Sequence, residues 1–136
     1  MILQQAMPTV QSNLLRRVLL GNAIFSTLTA LVFLLDAQRL AQLFGLGNGL
    51  VLTIIGGALL PFAALVAWTA TRPAIDRKAT LAILIADIGW VLGSVIILIG
   101  GQPALSSTGW WTVAILGDVV AIFAALEYVG LRQSKR

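Results

Sequence analysis

The sequence contains no cysteine and no histidine among its 136 residues. Without cysteine, the chain has no disulfide framework, no thiol nucleophile and no ligand for an iron–sulfur cluster. Without histidine, it has no imidazole base, no histidine-ligated haem and no histidine for a zinc site. We therefore expect no catalytic residues, no metal ion and no cofactor, and we do not expect an enzyme.

Charged residues are also scarce, at 10% of the chain, whereas hydrophobic residues make up 59% and the mean hydropathy is +0.97. An average soluble domain is about 45–50% apolar and about 25% charged. A small soluble domain must cover a large surface with polar groups, and this composition cannot do so. We therefore expect an integral membrane protein, in which the basic pI near 10.8 reflects membrane topology and contact with lipid head groups, not nucleic-acid binding.

Four apolar stretches are long enough to cross a bilayer core of about 30 Å as helices. Breakers rich in glycine, proline or arginine separate the stretches, and the first stretch does not resemble a cleaved signal peptide. Ser12 or Asn13 is expected to cap the first helix. The sequence predicts an all-α membrane protein, a bundle of four transmembrane helices forming one domain over residues 1–136. The predicted spans are 14–35, 50–70, 79–100 and 109–131.

Basic residues are distributed unequally between the two sides of this bundle, eight on one side against Arg39 alone on the other. The positive-inside rule then places both termini and the middle loop in the cytoplasm. The small size and short loops suggest the bacterial inner membrane. The eight residues are Arg16, Arg17, Arg72, Arg77, Lys78, Arg132, Lys135 and Arg136.

The segment 36–44 follows the first span and carries Leu40, Leu43 and Phe44 on one helical face. This pattern is typical of a short amphipathic helix lying on the outer membrane surface. An ordinary connecting turn is the alternative interpretation.

The second and fourth spans resemble each other. Residues 54–65 and 115–126 are identical at six of twelve positions, including the run Phe-Ala-Ala-Leu. The first and third spans align at an offset of 65, which sets Asn22 against Asp87. These similarities suggest two duplicated helical hairpins related by a pseudo-twofold axis along the membrane normal.

Two carboxylates, Asp87 and Asp118, fall near the middle of the third and fourth spans. A charged residue at a helix centre costs about 2.5–3.5 kcal/mol on insertion scales, so such residues usually face the bundle interior or a wet cavity. The two helices are joined by a short loop, so we expect both carboxyls to share one site that holds a proton or a bound cation. Asn22, Trp90 and Ser94 are predicted to line the same site. The structural alternative is that the aspartates are protonated and simply hydrogen-bond between helices.

Glu127 lies near the predicted inner boundary of the fourth span. We expect it to pair with Arg16, Arg17 or Arg132 and assign it no chemistry.

The composition and the midplane carboxylates predict a small membrane protein that binds or translocates a small ligand, a cation or a proton. The alternative is a non-catalytic accessory subunit or assembly factor of a larger membrane complex, which short loops and small-residue helix faces also favour. The expected partners are the lipid bilayer and either a second copy or a larger membrane complex, with no nucleic acid.

Overall fold

The computed structural model describes residues 2–100 and 105–134, with side chains described over 13–100 and 105–133. The glycine- and proline-containing breaker at 101–103 and the basic residues Lys135 and Arg136 lie outside the described residues. The described chain is helical and connected by short turns. Its elements are α1 (Ile2–Leu35), α2 (Ala37–Phe44), α3 (Leu50–Thr71), α4 (Arg77–Gly100) and α5 (Ser107–Ser134).

Four of these helices, α1, α3, α4 and α5, are long and apolar enough to cross a membrane. This finding confirms the predicted all-α class with four apolar helices. The predicted cap at Ser12 or Asn13 is wrong, because α1 continues through both residues and begins at Ile2. Backbone amides at these positions therefore have helical acceptors and need no side-chain cap.

The four long helices pack in the cyclic order α1, α3, α4, α5. Helix α1 packs mainly against α3 and α5, and α4 packs mainly against α5. The contact between α3 and α4 is much smaller. Within the described chain α1 and α4 make no backbone-level contact, so they occupy diagonally opposite corners of the bundle. Any direct bond between α1 and α4 must therefore be made by side chains that reach across the interior.

Apolar residues form two separate core clusters, one toward each end of the bundle. The cluster at the end that holds Arg16 and the last turn of α5, which we call the Arg16 end, includes Leu15, Leu19, Val66, Ile83 and Leu131. The cluster at the other end, which we call the α2 end, consists of Phe33, Ala41, Phe44 and Leu52.

Helix α2 joins the α2 end of the bundle through its own buried face. The chain is helical over Ala37–Phe44, within the predicted segment 36–44. Ala41 and Phe44 are buried, whereas Leu43 of the predicted apolar face is 53% exposed. The Ser106 backbone N–H donates to the Phe44 carbonyl at 2.8 Å, and the Ser106 hydroxyl donates to the Leu43 carbonyl at 2.6 Å. The end of α2 is thereby tied to the start of α5.

At the Arg16 end, the Arg16 side chain binds carbonyl groups at the end of α3. The Arg16 guanidinium donates to the carbonyl oxygens of Ala70, Arg72 and Pro73. A cation at a helix C-terminus satisfies carbonyls that lack helical partners and interacts favourably with the helix dipole. Arg16 thus fixes α1 against the end of α3.

Candidate functional site

Between the two apolar clusters lies a layer of buried polar side chains centred on Asn22. On α1, Asn22 continues the buried stripe of Leu15 and Leu19, with Ser26 four residues further on. This spacing of three or four residues keeps one helical face toward the interior. Asn22 is therefore directed into the bundle by the same periodicity that buries its apolar neighbours.

The Asn22 amide bridges two carboxyl groups from different helices. Its Nδ2 donates to Asp87 Oδ2 of α4 at 2.8 Å and to Glu127 Oε2 of α5, also at 2.8 Å. Its Oδ1 accepts a hydrogen bond of 3.0 Å from the Ser26 hydroxyl. These partners fix the orientation of the amide, because only its nitrogen can donate to carboxylates. We call Asn22, Ser26, Asp87 and Glu127 the Asn22 cluster.

The Asn22 cluster is buried in the bundle. Asn22 is 1% exposed, Asp87 is 4% exposed and Glu127 is 0% exposed. Because both carboxyl oxygens contact one nitrogen, they lie within about 6 Å of each other. Two acidic groups are thus held together in an interior of low dielectric, where like charges repel strongly.

Glu127, to which no chemistry was assigned from the sequence, is the second acid beside Asp87. The expected pairing with Arg16, Arg17 or Arg132 is wrong. Arg16 binds the end of α3, and Arg132 lies over the Tyr128 ring at 5.8 Å from its centroid. Glu127 instead belongs to the buried stripe of α5, which consists of Val120, Ala124, Glu127 and Leu131.

The predicted pairing of Asp87 with Asp118 is wrong as well. Asp118 is exposed on the outer surface of the bundle, beside a groove between α4 and α5. Nine residues separate Asp118 from Glu127, which at about 100° per residue places them on opposite sides of α5. The rotation of α5 about its axis that buries Glu127 therefore directs Asp118 outward.

The other predicted site residues, Trp90 and Ser94, lie on α4 beyond Asp87. The buried Ser94 hydroxyl donates to the Trp90 carbonyl at 2.8 Å, a bond within the helix, and does not join the Asn22 cluster. The Trp90 indole N–H is buried and has no hydrogen-bond partner within the described residues. It therefore donates to neither carboxyl of the Asn22 cluster.

Trp90 lines two adjacent cavities. The smaller, of about 90 Å³, lies beside Asp87 and is also lined by Ser26 and Thr29. The larger, of about 310 Å³, lies toward the α2 end and is lined almost entirely by apolar side chains such as Phe33 and Leu116. The indole therefore stands between a cavity that contacts the Asn22 cluster and a larger apolar cavity.

Hydrogen-bond donors are too few in this cluster. Two carboxylates present four oxygens, and the Asn22 amide supplies two N–H donors. Glu127 Oε1 is buried and has no partner within the described residues. The arrangement can accept further donors, which a proton or a small cationic group would provide.

No protein-family model matches the chain, and neither the curated proteins nor the solved structures include a match.

Proposed function

We propose that the chain is a small integral membrane protein that binds or translocates a proton or a small cationic ligand at Asp87 and Glu127. The proposed function is the one predicted from the sequence, but the second acid of the site is Glu127 and not Asp118. It includes both termini in the cytoplasm and the bacterial inner membrane as the location.

The observation that supports the site best is that Glu127 Oε1, on a residue that is 0% exposed, has no hydrogen-bond partner in the part of the chain that the structure describes. A buried polar atom without a partner costs about 1–3 kcal/mol, and more if the group is charged. The cost disappears if a proton resides on one carboxyl or a cation enters beside them. The acidic pair is thus suited to alternate between a loaded and an unloaded state.

A proton or an organic ammonium group suits this site better than a metal ion. The Asn22 nitrogen points at both carboxyls, so a metal ion between them would meet the N–H donors instead of the amide oxygen. Ca²⁺ and Mg²⁺ are bound mainly by carboxylates, and nowhere in the described residues do three or more acidic side chains come together. An ammonium group supplies the donors that the carboxyls need.

The smaller cavity gives a ligand a place next to Asp87. Its volume of about 90 Å³ is sufficient for a few water molecules or a small organic cation. Water in such a cavity could transfer a proton to and from Asp87. The weak contact between α3 and α4 favours this side of the bundle as the route of access.

The membrane orientation is supported by the Arg16 end of the bundle. Arg72 lies over the Trp68 ring at 4.7 Å and Arg132 over the Tyr128 ring at 5.8 Å. Aromatic rings beside basic residues are typical of a membrane interface on the cytoplasmic side.

We also propose that the two hairpins, α1–α3 and α4–α5, are related by duplication. The diagonal placement of α1 and α4 is the placement that a pseudo-twofold axis requires. Asn22 and Asp87, which the sequence alignment sets against each other, meet in the interior. Their helices also bury equivalent positions, namely Leu15 and Thr80, and Leu19 and Leu84.

The function is testable with the purified full-length chain in liposomes. Proton flux is followed with an enclosed pH-sensitive dye, and methylammonium uptake is followed with a radioactive label. We expect flux in the wild-type chain, loss of flux in Asp87→Asn and in Glu127→Gln, and unchanged flux in Asp36→Asn. Folded variants with unchanged flux, or a wild-type chain that moves neither probe, would reject the proposal in favour of purely structural hydrogen bonding.

The alternative function, that of an accessory subunit, is favoured by one separate observation, the exposed carboxylate of Asp118.

A further inference from the structure

Asp118 lies on the outer surface of a helix that is long and apolar enough to cross a membrane. It is eleven residues after Ser107, about 16 Å along the helix axis, and therefore well inside the span. Within 13–100 and 105–133, no side chain or backbone group hydrogen-bonds to its carboxylate, and no basic residue lines the groove beside it. An isolated carboxylate at this depth is unfavourable in lipid.

The surface around Asp118 is a groove between α4 and α5. The groove encloses about 390 Å³ and is lined by small and apolar residues, among them Ala114, Ala121 and Val95. Ala114 and Ala121 lie one turn before and after Asp118, so the carboxylate is not covered by large side chains of its own helix. Small residues at a helix surface allow another helix to approach closely.

We propose that this groove binds a transmembrane helix of another protein, one that carries a lysine or an arginine at mid-membrane depth. The inference depends on the membrane placement proposed above but not on the Asn22 cluster. Charge complementarity identifies the partner, because a basic side chain would neutralise Asp118 and supply the donors that it lacks.

A second copy of the chain does not meet this requirement. Its basic residues lie at the ends of the helices or in the loops, and no lysine or arginine occurs between Val18 and Leu35 or within 50–71, 79–100 and 107–131. In a homodimer, Asp118 could therefore not meet a cation at its own depth. The partner must be a different chain, as an accessory subunit of a larger membrane complex would require.

The test uses the full-length chain in phosphatidylcholine vesicles and synthetic transmembrane peptides. The peptides are Leu-Ala helices that differ only at the central residue, which is lysine, leucine or aspartate. A fluorescent donor is attached to the chain through Gly47→Cys, since the chain has no cysteine of its own and Gly47 is exposed with open space around its Cα. Energy transfer to a labelled peptide reports association.

We expect the lysine peptide to bind about tenfold more tightly than the leucine peptide. Asp118→Asn should abolish this preference, and Asp36→Asn, which removes an exposed aspartate outside the spans, should preserve it. In the charge-reversed experiment, Asp118→Lys should instead prefer a peptide with a central aspartate.

Equal binding of both peptides by the inserted wild-type chain would overturn the inference, as would preference for the lysine peptide that survives Asp118→Asn. Association of labelled chains with one another that depends on Asp118 would also overturn it, in favour of a homodimer. Each of these outcomes is independent of proton or methylammonium flux. Failure of the chain to insert into the vesicles would instead refute the membrane placement.

Discussion

A single neutral side chain, Asn22, joins the two buried acids. Its amide donates from one nitrogen to carboxyls of two other helices and accepts from Ser26 on its own helix. A carboxylate at position 22 would add a third negative charge, and an apolar residue would supply no donor. The amide of one hairpin therefore lets two acids from the two helices of the other hairpin, α4 and α5, lie together in the interior.

Replacing Asn22 with leucine tests whether the two buried acids depend on the Asn22 amide as a hydrogen-bond donor. Asn22→Leu preserves side-chain volume approximately but leaves both carboxyls without a donor, so we expect destabilisation of about 1–3 kcal/mol. Denaturant unfolding in mixed micelles measures the change. In the Asp87→Asn/Glu127→Gln background the same substitution should cost less, because amides supply donors to each other. An equal cost in both backgrounds would show that packing, not hydrogen bonding, makes Asn22 important.

At the scale of the helices, the contact between Arg16 and the end of α3 can be tested against its neighbour in sequence. Arg16→Ala removes hydrogen bonds to three carbonyls and a cation from the helix C-terminus, so we expect a loss of about 1–2 kcal/mol. Arg17→Ala removes the same charge from an exposed side chain and should change stability by less than about 0.5 kcal/mol. Unfolding in mixed micelles compares the two. Similar losses would contradict a specific role for Arg16.

The junction between α2 and α5 depends on the absence of a side chain at Gly109. A Cβ added there would lie 2.6 Å from the Phe44 carbonyl oxygen and 3.0 Å from its Cα. Because these are backbone atoms, they cannot move without displacing α2. We expect Gly109→Ala to destabilise the protein by about 1–3 kcal/mol, measured by the unfolding midpoint.

Gly89 is the matched control for this substitution. A Cβ at Gly89 would meet nothing within 4 Å, so Gly89→Ala should be neutral or stabilising by up to about 1 kcal/mol. If Gly109→Ala were as well tolerated as Gly89→Ala, α2 would not be packed closely against the start of α5.

At the scale of the whole molecule, hydropathy was sufficient to predict the four apolar helices, because each is a long run with at most two charged residues between breakers. The inward position of Asp87 also follows from the sequence, since Thr80, Asp87 and Ser94 are seven residues apart on one face. The sequence did not predict that Glu127 is the partner of Asp87. Glu127 is close to the end of its span, and this position suggests an interfacial residue. It does not indicate that Glu127 belongs to the buried stripe of α5.

The stripe of α5 did contain the necessary signal. Val120, Ala124 and Leu131 are spaced as the buried face of a helix, and Glu127 fills the missing position. Asp118 lies off that face. The sequence does not predict which face of α5 is turned inward, because the helix is apolar on nearly all sides. Packing against α1 and α4 determines the rotation of α5 about its axis.

The proposed orientation in the membrane is testable with single cysteines, since the natural chain has none. Gly47 and Ala74 are exposed and lie in connections at opposite ends of the bundle. In intact spheroplasts of bacteria that express the protein, an impermeant maleimide should label Gly47→Cys. It should label Ala74→Cys only after the membrane is permeabilised. The reverse pattern would invert the proposed topology.

The central claim, that Asp87 and Glu127 hold a proton between them, is tested most directly by infrared spectroscopy of the reconstituted chain at neutral pH. The measurement is made in the Asp118→Asn background, because an acid that faces lipid would add its own signal. We predict a C=O stretching band of a protonated carboxyl that shifts in D₂O and disappears when Asp87→Asn and Glu127→Gln are added. Absence of the band, or its persistence in the triple variant, would contradict the claim.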